Sequence, residues 1–234
     1  IEYAEAETLA SGAKSKSLQG LAGLVATSNS PSWIVMNTLP WSRKDLIQLP
    51  WEKRFEGKVW YDAEGCMLQT QIVKDADQGN VLLIEVDHIP AFGYTTIHCE
   101  TTAEARPIME RSITATSRSA ATSYYELEWN EMGQLTRLFD KRMKRDVIAP
   151  GEIGNRFDVH EDKPLDNDAW DIDIFYHDKV RNISNLTSVE VIEQGALRTV
   201  VRFAWTYEKS ELVQDMILYP DNPRIDFVTL VNWQ

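Results

Sequence analysis

Cysteine is scarce in this 234-residue sequence, which contains only Cys66 and Cys99. Neither residue belongs to a Cys-x-x-Cys pair, and two isolated thiols do not make a disulfide framework. Isolated thiols are typical of a reducing compartment, so the sequence predicts a cytoplasmic protein.

Long apolar runs are also absent. No stretch approaches the roughly 20 apolar residues that a membrane-spanning helix requires, and no signal peptide is recognisable. The sequence starts at Ile1 without a methionine and ends in what reads as an unfinished strand. We therefore expect no membrane partner, and we expect both ends to be cuts within a longer protein.

Basic charge is in deficit, because 36 acidic residues outnumber 24 lysines and arginines and leave a net charge of −12. A nucleic-acid-binding protein would usually present a basic face. The one dense basic stretch lies beside turn residues and consists of Arg137, Lys141, Arg142, Lys144 and Arg145. We interpret it as the solvated end of a hairpin and predict no nucleic-acid partner.

Helical periodicity is confined to the start of the chain, where Leu9, Leu18 and Leu21 recur at roughly helical spacing. Glycines within this segment weaken the helix by up to about 1 kcal/mol each relative to alanine. A single helix cannot bury its apolar stripe alone. Residues 1–29 are therefore predicted to be the tail of a helical-bundle domain.

Beyond the helical segment the apolar pattern has a period of two, and turn sequences such as Asp77-Gln78-Gly79-Asn80 separate the apolar runs. Short strands without long helices between them are typical of antiparallel β-structure. The sequence predicts a small β domain over 30–105, a linker over 106–118 and the first part of a large C-terminal β-sandwich over 119–234. The predicted fold class is mainly β, with antiparallel sandwich domains and an N-terminal helical remnant.

Four sets of motifs follow one another along the chain. They are Ile-Val-Met-Asn-Thr-Leu-Pro-Trp-Ser-Arg at 34–43, Gly-Gln-Leu-Thr-Arg-Leu-Phe-Asp-Lys at 133–141, Gly-Asn-Arg-Phe at 154–157 with Asp-Ala-Trp-Asp-Ile-Asp at 168–173, and Gly-Ala-Leu-Arg at 195–198 with Pro-Arg-Ile-Asp-Phe at 223–227. In order and approximate spacing this series resembles glycoside hydrolase family 38, the retaining α-mannosidases. Residues 50–120 carry little of the family's pattern.

The resemblance implies a parent enzyme with a seven-stranded α/β barrel, a three-helix bundle and C-terminal β domains, one of them a large sandwich similar to galactose mutarotase. It also implies a zinc ion, an aspartate nucleophile and an acid/base carboxylate, all in the barrel region and therefore outside this chain. We assign no catalytic residue, metal ligand or cofactor to the sequence itself. The expected partners are the missing barrel and helical domains and a mannoside substrate, and a homo-oligomer of the parent stays open.

The sequence and the resemblance together predict a non-catalytic segment of a retaining α-mannosidase that hydrolyses terminal α-mannosides of glycans or oligosaccharides. This segment would provide scaffold and contacts at the substrate rim. We expect the parent to be a bacterial, cytoplasmic enzyme and the chain alone to be inactive.

Asp168, Trp170, Asp171 and Asp173 are the predicted substrate-rim candidates. Carboxylates accept hydrogen bonds from sugar hydroxyl groups, and a flat indole packs on the apolar face of a sugar ring. The resemblance implies that β domains of the family lend loops to the active-site rim. The alternative is that the aspartates orient a loop through turn hydrogen bonds while Trp170 fills core space.

Two rival functions depend on other residues. A mutarotase-like epimerase would use His160 or His177 beside a neighbouring carboxylate for acid–base work. A stand-alone carbohydrate-binding domain would expose a flat platform of rings, for which the candidates are Trp33, Trp41, Trp51 and Trp60. Packing of these rings into a core is the alternative to a platform. His88, His98 and Cys99 fit no established zinc pattern.

Overall fold

The computed structural model describes residues 2–26, 31–75, 79–101, 113–167, 170 and 172–234. The chain divides into two compact units, unit 1 at Ile1–Ile108 and unit 2 at Met109–Gln234. Residues 102–112, which include most of the predicted linker, lie outside the described residues.

Unit 1 begins with one helix and continues with β-strands. The elements are α1 (Glu2–Ala22), β1 (Ser32–Met36), β2 (Arg43–Pro50), a 3-10 helix (Lys53–Phe55), β3 (Val59–Tyr61), β4 (Met67–Leu68), β5 (Thr70–Asp75), β6 (Gly79–Ile89) and β7 (Tyr94–Glu100). The strands form two antiparallel sheets, one in the order β1-β7-β3-β4 and the other in the order β2-β6-β5.

The two sheets of unit 1 enclose one apolar core, which makes the unit a β-sandwich. Trp60, Ile84 and Ile97 come from β3, β6 and β7 and are almost fully buried in this core. The rings of Trp33, Phe55 and Trp60 pack against one another with centroids 4.8–5.6 Å apart. Aromatic packing therefore joins β1 and β3 of one sheet to the 3-10 helix Lys53–Phe55.

Asn37, immediately after β1, fixes the loop that leads to β2. Its side chain is buried, and its Nδ2 donates to the carbonyl oxygens of Trp41 at 2.8 Å, Pro90 at 3.0 Å and Ile89 at 3.3 Å. Its Oδ1 accepts from the Leu39 N–H at 3.0 Å. The asparagine of the 34–43 motif is thus a structural residue that ties two loops of unit 1 together.

Helix α1 runs through its glycines without a break but buries none of its residues. The exposed apolar side chains of the helix include Leu9 and Leu21, and Leu24 in the turn after the helix is exposed as well. Because tertiary packing supplies most of the stability of a protein helix, α1 lacks its main source of stabilisation within unit 1.

Unit 2 is entirely β-structure apart from one short 3-10 helix, as far as it is described. Its strands are β8 (Thr114–Ala115), β9 (Ser119–Ala121), β10 (Tyr125–Trp129), β11 (Leu135–Asp140), β12 (Arg145–Asp146), β13 (Asp158–His160), β14 (Val180–Asn182), β15 (Leu186–Gln194), β16 (Thr199–Tyr207), β17 (Ser210–Leu218) and β18 (Ile225–Asn232), and the 3-10 helix is Ile174–Asp178. They form a five-stranded sheet β12-β11-β10-β9-β8, a four-stranded sheet β15-β16-β17-β18 and the two-stranded ribbon β13-β14.

The core of unit 2 lies between its two larger sheets. On β16, Val201, Phe203 and Trp205 are buried and alternate with Arg202 and Thr206, which face away from the core. Trp129 of β10 meets Phe203 edge-on with ring centroids 5.3 Å apart. Period-two alternation thus places one face of each strand in a shared core, and the predicted antiparallel β-sandwich fold is confirmed.

The basic stretch of the sequence lies on β11, β12 and the turn between them, as expected for a hairpin end. Arg137 Nη1 contacts Glu126 at 2.9 Å and Glu128 at 3.3 Å, and Arg142 Nη2 contacts Asp140 at 3.0 Å. These carboxylates offset the positive charge locally.

The two cysteines are free thiols, with Cys66 exposed and Cys99 buried. In the part of the chain that the structure describes, no helix has both the length and the apolar character to cross a membrane.

Candidate functional site

Trp170 and Asp173, the predicted rim candidates that the structure describes, lie between the two strands of the ribbon β13-β14. Val159 pairs with Arg181 and His160 pairs with Val180, and the Glu161 N–H donates to the Lys179 carbonyl oxygen at 3.1 Å. Residues 162–178, which we call the rim loop, therefore start and end beside each other. The ribbon fixes the base of the loop.

A chain of amide side chains ties this ribbon to the hairpin β10-β11. Buried Gln134 donates from Nε2 to Asn182 Oδ1 at 3.1 Å and accepts at Oε1 from Asn130 Nδ2 at 3.0 Å. Asn182 Nδ2 lies 3.0 Å from the Phe157 carbonyl oxygen and 3.1 Å from Asp158 Oδ1. Because an amide side chain both donates and accepts hydrogen bonds, each amide in this series can satisfy the hydrogen-bonding groups of the next.

A second anchor joins the segment before β13 to the four-stranded sheet. Asn155 has a positive φ of 53° and donates from Nδ2 to Gln214 Oε1 at 2.7 Å, while Gln214 Nε2 donates to Thr229 Oγ1 at 2.9 Å. Phe157 packs edge-on against Trp205 with centroids 5.2 Å apart. The Gly-Asn-Arg-Phe motif thus attaches the segment before the rim loop to the four-stranded sheet.

Sequence reasoning missed both anchors, although one signal for them was present. Gln214 lies on the same face of β17 as Leu212 and Met216, and all three are buried. A glutamine on the core face of a strand requires buried partners, because an unpaired buried amide is costly. The sequence could therefore have indicated a polar anchor there, but not which residue supplied it.

The structure places two of the four rim candidates. Trp170 is 90% exposed, and its backbone N–H donates to the Asn167 carbonyl oxygen at 2.8 Å. Asp173 accepts the Leu165 N–H at Oδ2 over 2.7 Å, which closes the rim loop on itself. Asp168 and Asp171 lie outside the described residues. The alternative in which aspartates orient the loop fits Asp173, whereas Trp170 fills no core space.

Trp170 belongs to an exposed apolar part of the rim loop. The neighbouring apolar side chains that are also exposed are Leu165, Ile172, Ile174 and Phe175. Exposed apolar side chains on one loop are candidates for a binding surface when they form a contiguous patch. An indole with a free face can pack on the C–H face of a sugar, whereas the aliphatic members suit contact with protein.

The histidines proposed for a mutarotase-like reaction lie at the base of the rim loop. His160, Glu161, Lys179, Arg181 and Tyr207 line a cavity of about 250 Å³. His160 Nδ1 lies 3.2 Å from the Tyr176 carbonyl oxygen, so Nδ1 carries the proton, because a carbonyl oxygen can only accept.

Glu161 contacts both Lys163 and Lys179. Hydrogen bonds from Lys163 first and Lys179 second lower the pKa of the Glu161 carboxyl to about 2. A carboxylate with so low a pKa is a weak base near neutral pH. The pocket therefore brings a histidine and a carboxylate together without tuning the carboxylate for acid–base work.

The Glu161 pair gives a pH prediction. Because the folded-state pKa lies below the ordinary value of 4.5, the pairing contributes above that value and is lost as the pH falls from there through about 2. We expect carboxyl NMR titration of Glu161 to show a midpoint near 2. Lys179→Met should move it toward 4.5, and the control Lys209→Met should leave it in place. An unchanged midpoint in Lys179→Met would show that the lysine pairing does not set the pKa.

A metal site would need several His, Cys, Asp or Glu side chains close together. In those residues, no three His, Cys, Asp or Glu side chains converge as metal ligands. The side chains described here do not fit the zinc ion that the resemblance implies, and no step of a reaction is assigned to it.

The clustered tryptophans do not make a platform. Trp60 is buried, and Trp33 and Trp51 pack against the same core, whereas Trp41 alone among the four is more than half exposed. A flat platform would require several of these rings to be exposed side by side. Core packing is therefore the role of three of the four rings.

Comparison with known proteins shows similarity to one family of glycosyl hydrolases. Residues 120–234 match the model for the glycosyl hydrolases family 38 C-terminal domain. Alpha-mannosidase G of Dictyostelium discoideum is 29% identical over 161 residues, covering 62% of this chain and 15% of that protein. Alpha-mannosidase 2C1 of Homo sapiens is 26% identical over 207 residues, covering 86% of this chain and 17% of that protein. The chain thus spans 15 to 17% of the length of these curated relatives.

Two solved structures share the fold. A glycosyl hydrolase family 38 protein from Enterococcus faecalis superposes with a TM-score of 0.58 at 13% identity, covering 87% of this chain and 31% of that one. An alpha-mannosidase from Enterococcus faecalis V583 gives a TM-score of 0.57 at 11% identity, covering 86% and 30%. At these identities the likeness concerns the fold alone.

Proposed function

Because residues 120–234 belong to the glycosyl hydrolases family 38 C-terminal domain, we propose that this chain is a non-catalytic β-domain segment of a retaining α-mannosidase. The parent enzyme would hydrolyse terminal α-mannosides of glycans or oligosaccharides. In this proposal the chain supplies scaffold and one substrate-rim loop, and the chemistry belongs to parts of the parent outside it.

The carboxyl groups of the chain support a non-catalytic role. A retaining glycosidase needs a nucleophile and an acid/base about 5–5.5 Å apart, and the acid must have a raised pKa. Among the described residues, the carboxyl groups whose pKa is displaced all move downward, and they are Asp140, Asp158, Glu161 and Asp226. In each case a hydrogen bond from a cationic or amide side chain favours the ionised form. None of these four is suited to donate a proton to a leaving group.

The exposed face of α1 supports the scaffold role. A helix with no buried residue needs an apolar partner, and the helical part of the longer enzyme is the partner that we propose. The zinc ion and its ligands would also lie in the parent outside this chain. The free thiols Cys66 and Cys99 agree with a cytoplasmic location, which we include in the proposal.

Trp170 carries the rim proposal because its ring is 90% exposed on a loop with two anchors. In the longer enzyme that contains this chain, we expect Trp170→Ala to lower kcat/KM for a mannoside by about tenfold, equivalent to about 1.4 kcal/mol of lost ring–sugar packing.

Leu165→Ala is the matched control, because Leu165 is on the same loop and is 85% exposed but has no ring to pack on a sugar. We expect it to change kcat/KM less than twofold. Equal losses in both variants would mean that the loop docks on protein, and no loss in either would remove the rim role while leaving the scaffold role intact.

A further inference from the structure

A small cavity at the base of the rim loop brings charged side chains of unit 2 together. It has a volume of about 250 Å³ and is lined by Val159, His160, Glu161, Lys179, Arg181 and Tyr207. Pairing of β13 with β14 sets the first three of these residues beside Lys179 and Arg181, and Tyr207 is the last residue of β16. All six lie between 159 and 207, far from both ends of the chain.

The carboxylate of this cavity is already engaged. Glu161 is the one carboxylate in the lining, and its two oxygens contact different lysines, Oε1 the Nζ of Lys163 and Oε2 the Nζ of Lys179. These contacts lower the pKa of the Glu161 carboxyl to about 2, so the group is ionised near neutral pH. A ligand whose groups mainly donate hydrogen bonds would therefore meet few free acceptors.

Hydrogen-bond donors, in contrast, are in excess. Within the part of the chain that the structure describes, Arg181 uses only Nη1, which lies 3.5 Å from Tyr207 Oη and 3.2 Å from Glu208 Oε1. A guanidinium has five N–H donors, so those on Nε and Nη2 are left for water or a ligand. The Tyr207 hydroxyl keeps its own proton to donate, and Lys179, which contacts Glu161, has further ammonium protons.

The ion-paired charges around the cavity also favour an anion. Lys163, Lys179 and Arg181 supply three positive charges, whereas Glu161 and Glu208 supply two negative ones. This cluster therefore has one positive charge in excess, within a chain whose net charge is −12. Because salt screens distant charges more than close ones, the local excess decides which ligand charge the cavity attracts.

We propose that this cavity binds the oxyanion group of a small ligand, either a carboxylate or a phosphate. Arg181 holds two of its oxygens through the Nε and Nη2 donors, because a guanidinium matches the spacing of carboxylate and phosphate oxygens. Lys179 supplies a second positive charge, and the Tyr207 hydroxyl donates a further hydrogen bond. None of the rim candidates takes part, so the site is independent of the proposed role of Trp170.

The volume of the cavity limits the size of this ligand. Pockets for drug-sized ligands measure about 300–1,000 Å³. The cavity, with about 250 Å³, lies below that range and suits an oxyanion with only a few further atoms. The bound group contacts Lys179 and Arg181 on the ribbon side and Tyr207 on the four-stranded sheet, so its binding also strengthens the attachment of the ribbon to the sheet.

NMR titration of the whole chain tests the proposal, with sodium phosphate and sodium acetate added separately at constant pH and ionic strength. We expect saturable shifts of the backbone amides at 159–161, 179–181 and 207. Arg181→Gln keeps a polar side chain but removes the charge and the paired donors. It should raise the dissociation constant about tenfold or more, as expected for the loss of a hydrogen bond to a charged group. Tyr207→Phe, which removes the hydroxyl alone, should raise it by a smaller factor.

Arg202→Gln is the matched control, because Arg202 is an exposed arginine of β16 that pairs with Asp215 and faces away from the core. It removes the same charge and should leave the dissociation constant unchanged, while circular dichroism establishes that each variant is folded. Saturable binding of either anion supports the proposal, and the tighter one identifies the group that the ligand carries. The proposal is overturned if neither anion gives saturable shifts at these amides, or if Arg181→Gln and Arg202→Gln weaken binding equally.

Discussion

Replacing Gly133 by alanine is expected to destabilise unit 2 by about 3 kcal/mol, combining left-handed backbone strain of about 1–2 kcal/mol with overpacking of about 1–3 kcal/mol. Gly133 has a φ of +75°, and an added Cβ would lie 2.7 Å from Cζ2 of Trp205 and 3.0 Å from Cδ1 of Leu186. Trp205 cannot retreat easily, because its Nε1 donates to the Met132 carbonyl oxygen at 2.8 Å and its ring stacks on Phe203.

Gly151→Ala is the matched control for this substitution. Gly151 has a φ of +84° but no atom within 4 Å of an added Cβ, so its substitution has the backbone strain without the clash. We expect it to cost about 1 kcal/mol. Native-state amide hydrogen exchange on β16 measures both variants within unit 2. If both variants lost the same stability, the ring of Trp205 would have moved to accommodate the methyl group, and the close contact at Gly133 would not contribute to the cost.

Asn37→Ala is expected to destabilise unit 1 by about 3 kcal/mol, because it leaves one buried and two partly buried carbonyl groups without this donor, at about 1–3 kcal/mol for a buried unsatisfied group. The substitution removes the amide that bonds the carbonyl oxygens of Trp41, Ile89 and Pro90. Asn37→Asp should be at least as damaging, since it keeps the acceptor for Leu39 but turns a carboxylate toward three carbonyl oxygens.

Asn80→Ala supplies the control in the same unit, because Asn80 is exposed on β6. We expect its effect to stay within about 0.5 kcal/mol, as for surface substitutions in general. Hydrogen exchange of the buried β6 amides reports on unit 1 alone. If Asn37→Ala lowered the stability of unit 1 as little as Asn80→Ala, water would be replacing the amide in these hydrogen bonds. Asn37 would then not be the structural residue of the 34–43 motif.

Strand positions were the part of the fold that the sequence could predict. Val59–Tyr61 is an example, because this short apolar run is followed by the turn residues Asp62-Ala63-Glu64-Gly65. The ribbon strands β13 and β14 are not recognisable in the sequence, since each has three residues and β14 is exposed throughout. A strand without a buried face shows no period-two pattern of apolar residues. The pairing of β13 with β14 also depends on the way the rim loop brings its two ends together.

The rim site stays a prediction from the sequence, and the hydrogen bonds that support its loop could not be predicted. The alternation of carboxylates around Trp170 pointed to the rim loop, and the exposure of that ring agrees with a contact role. The anchors from Gln134 to Asn182 and from Asn155 to Gln214 join residues far apart in sequence. No local pattern specifies such partners, because side-chain hydrogen bonds depend on the final packing of strands.

The most direct test of the central claim, that this chain serves an α-mannosidase without holding its catalytic site, is an activity assay. Hydrolysis of a chromogenic α-mannoside by the isolated chain should be measured at high protein concentration, with and without added zinc. We predict no turnover in either condition, because the resemblance implies that the nucleophile and the acid/base lie outside this chain, and the displaced carboxyl pKa values of Asp140, Asp158, Glu161 and Asp226 are all lowered. Zinc-dependent turnover, with contaminating enzyme excluded, would contradict the account and place a complete catalytic site within these 234 residues.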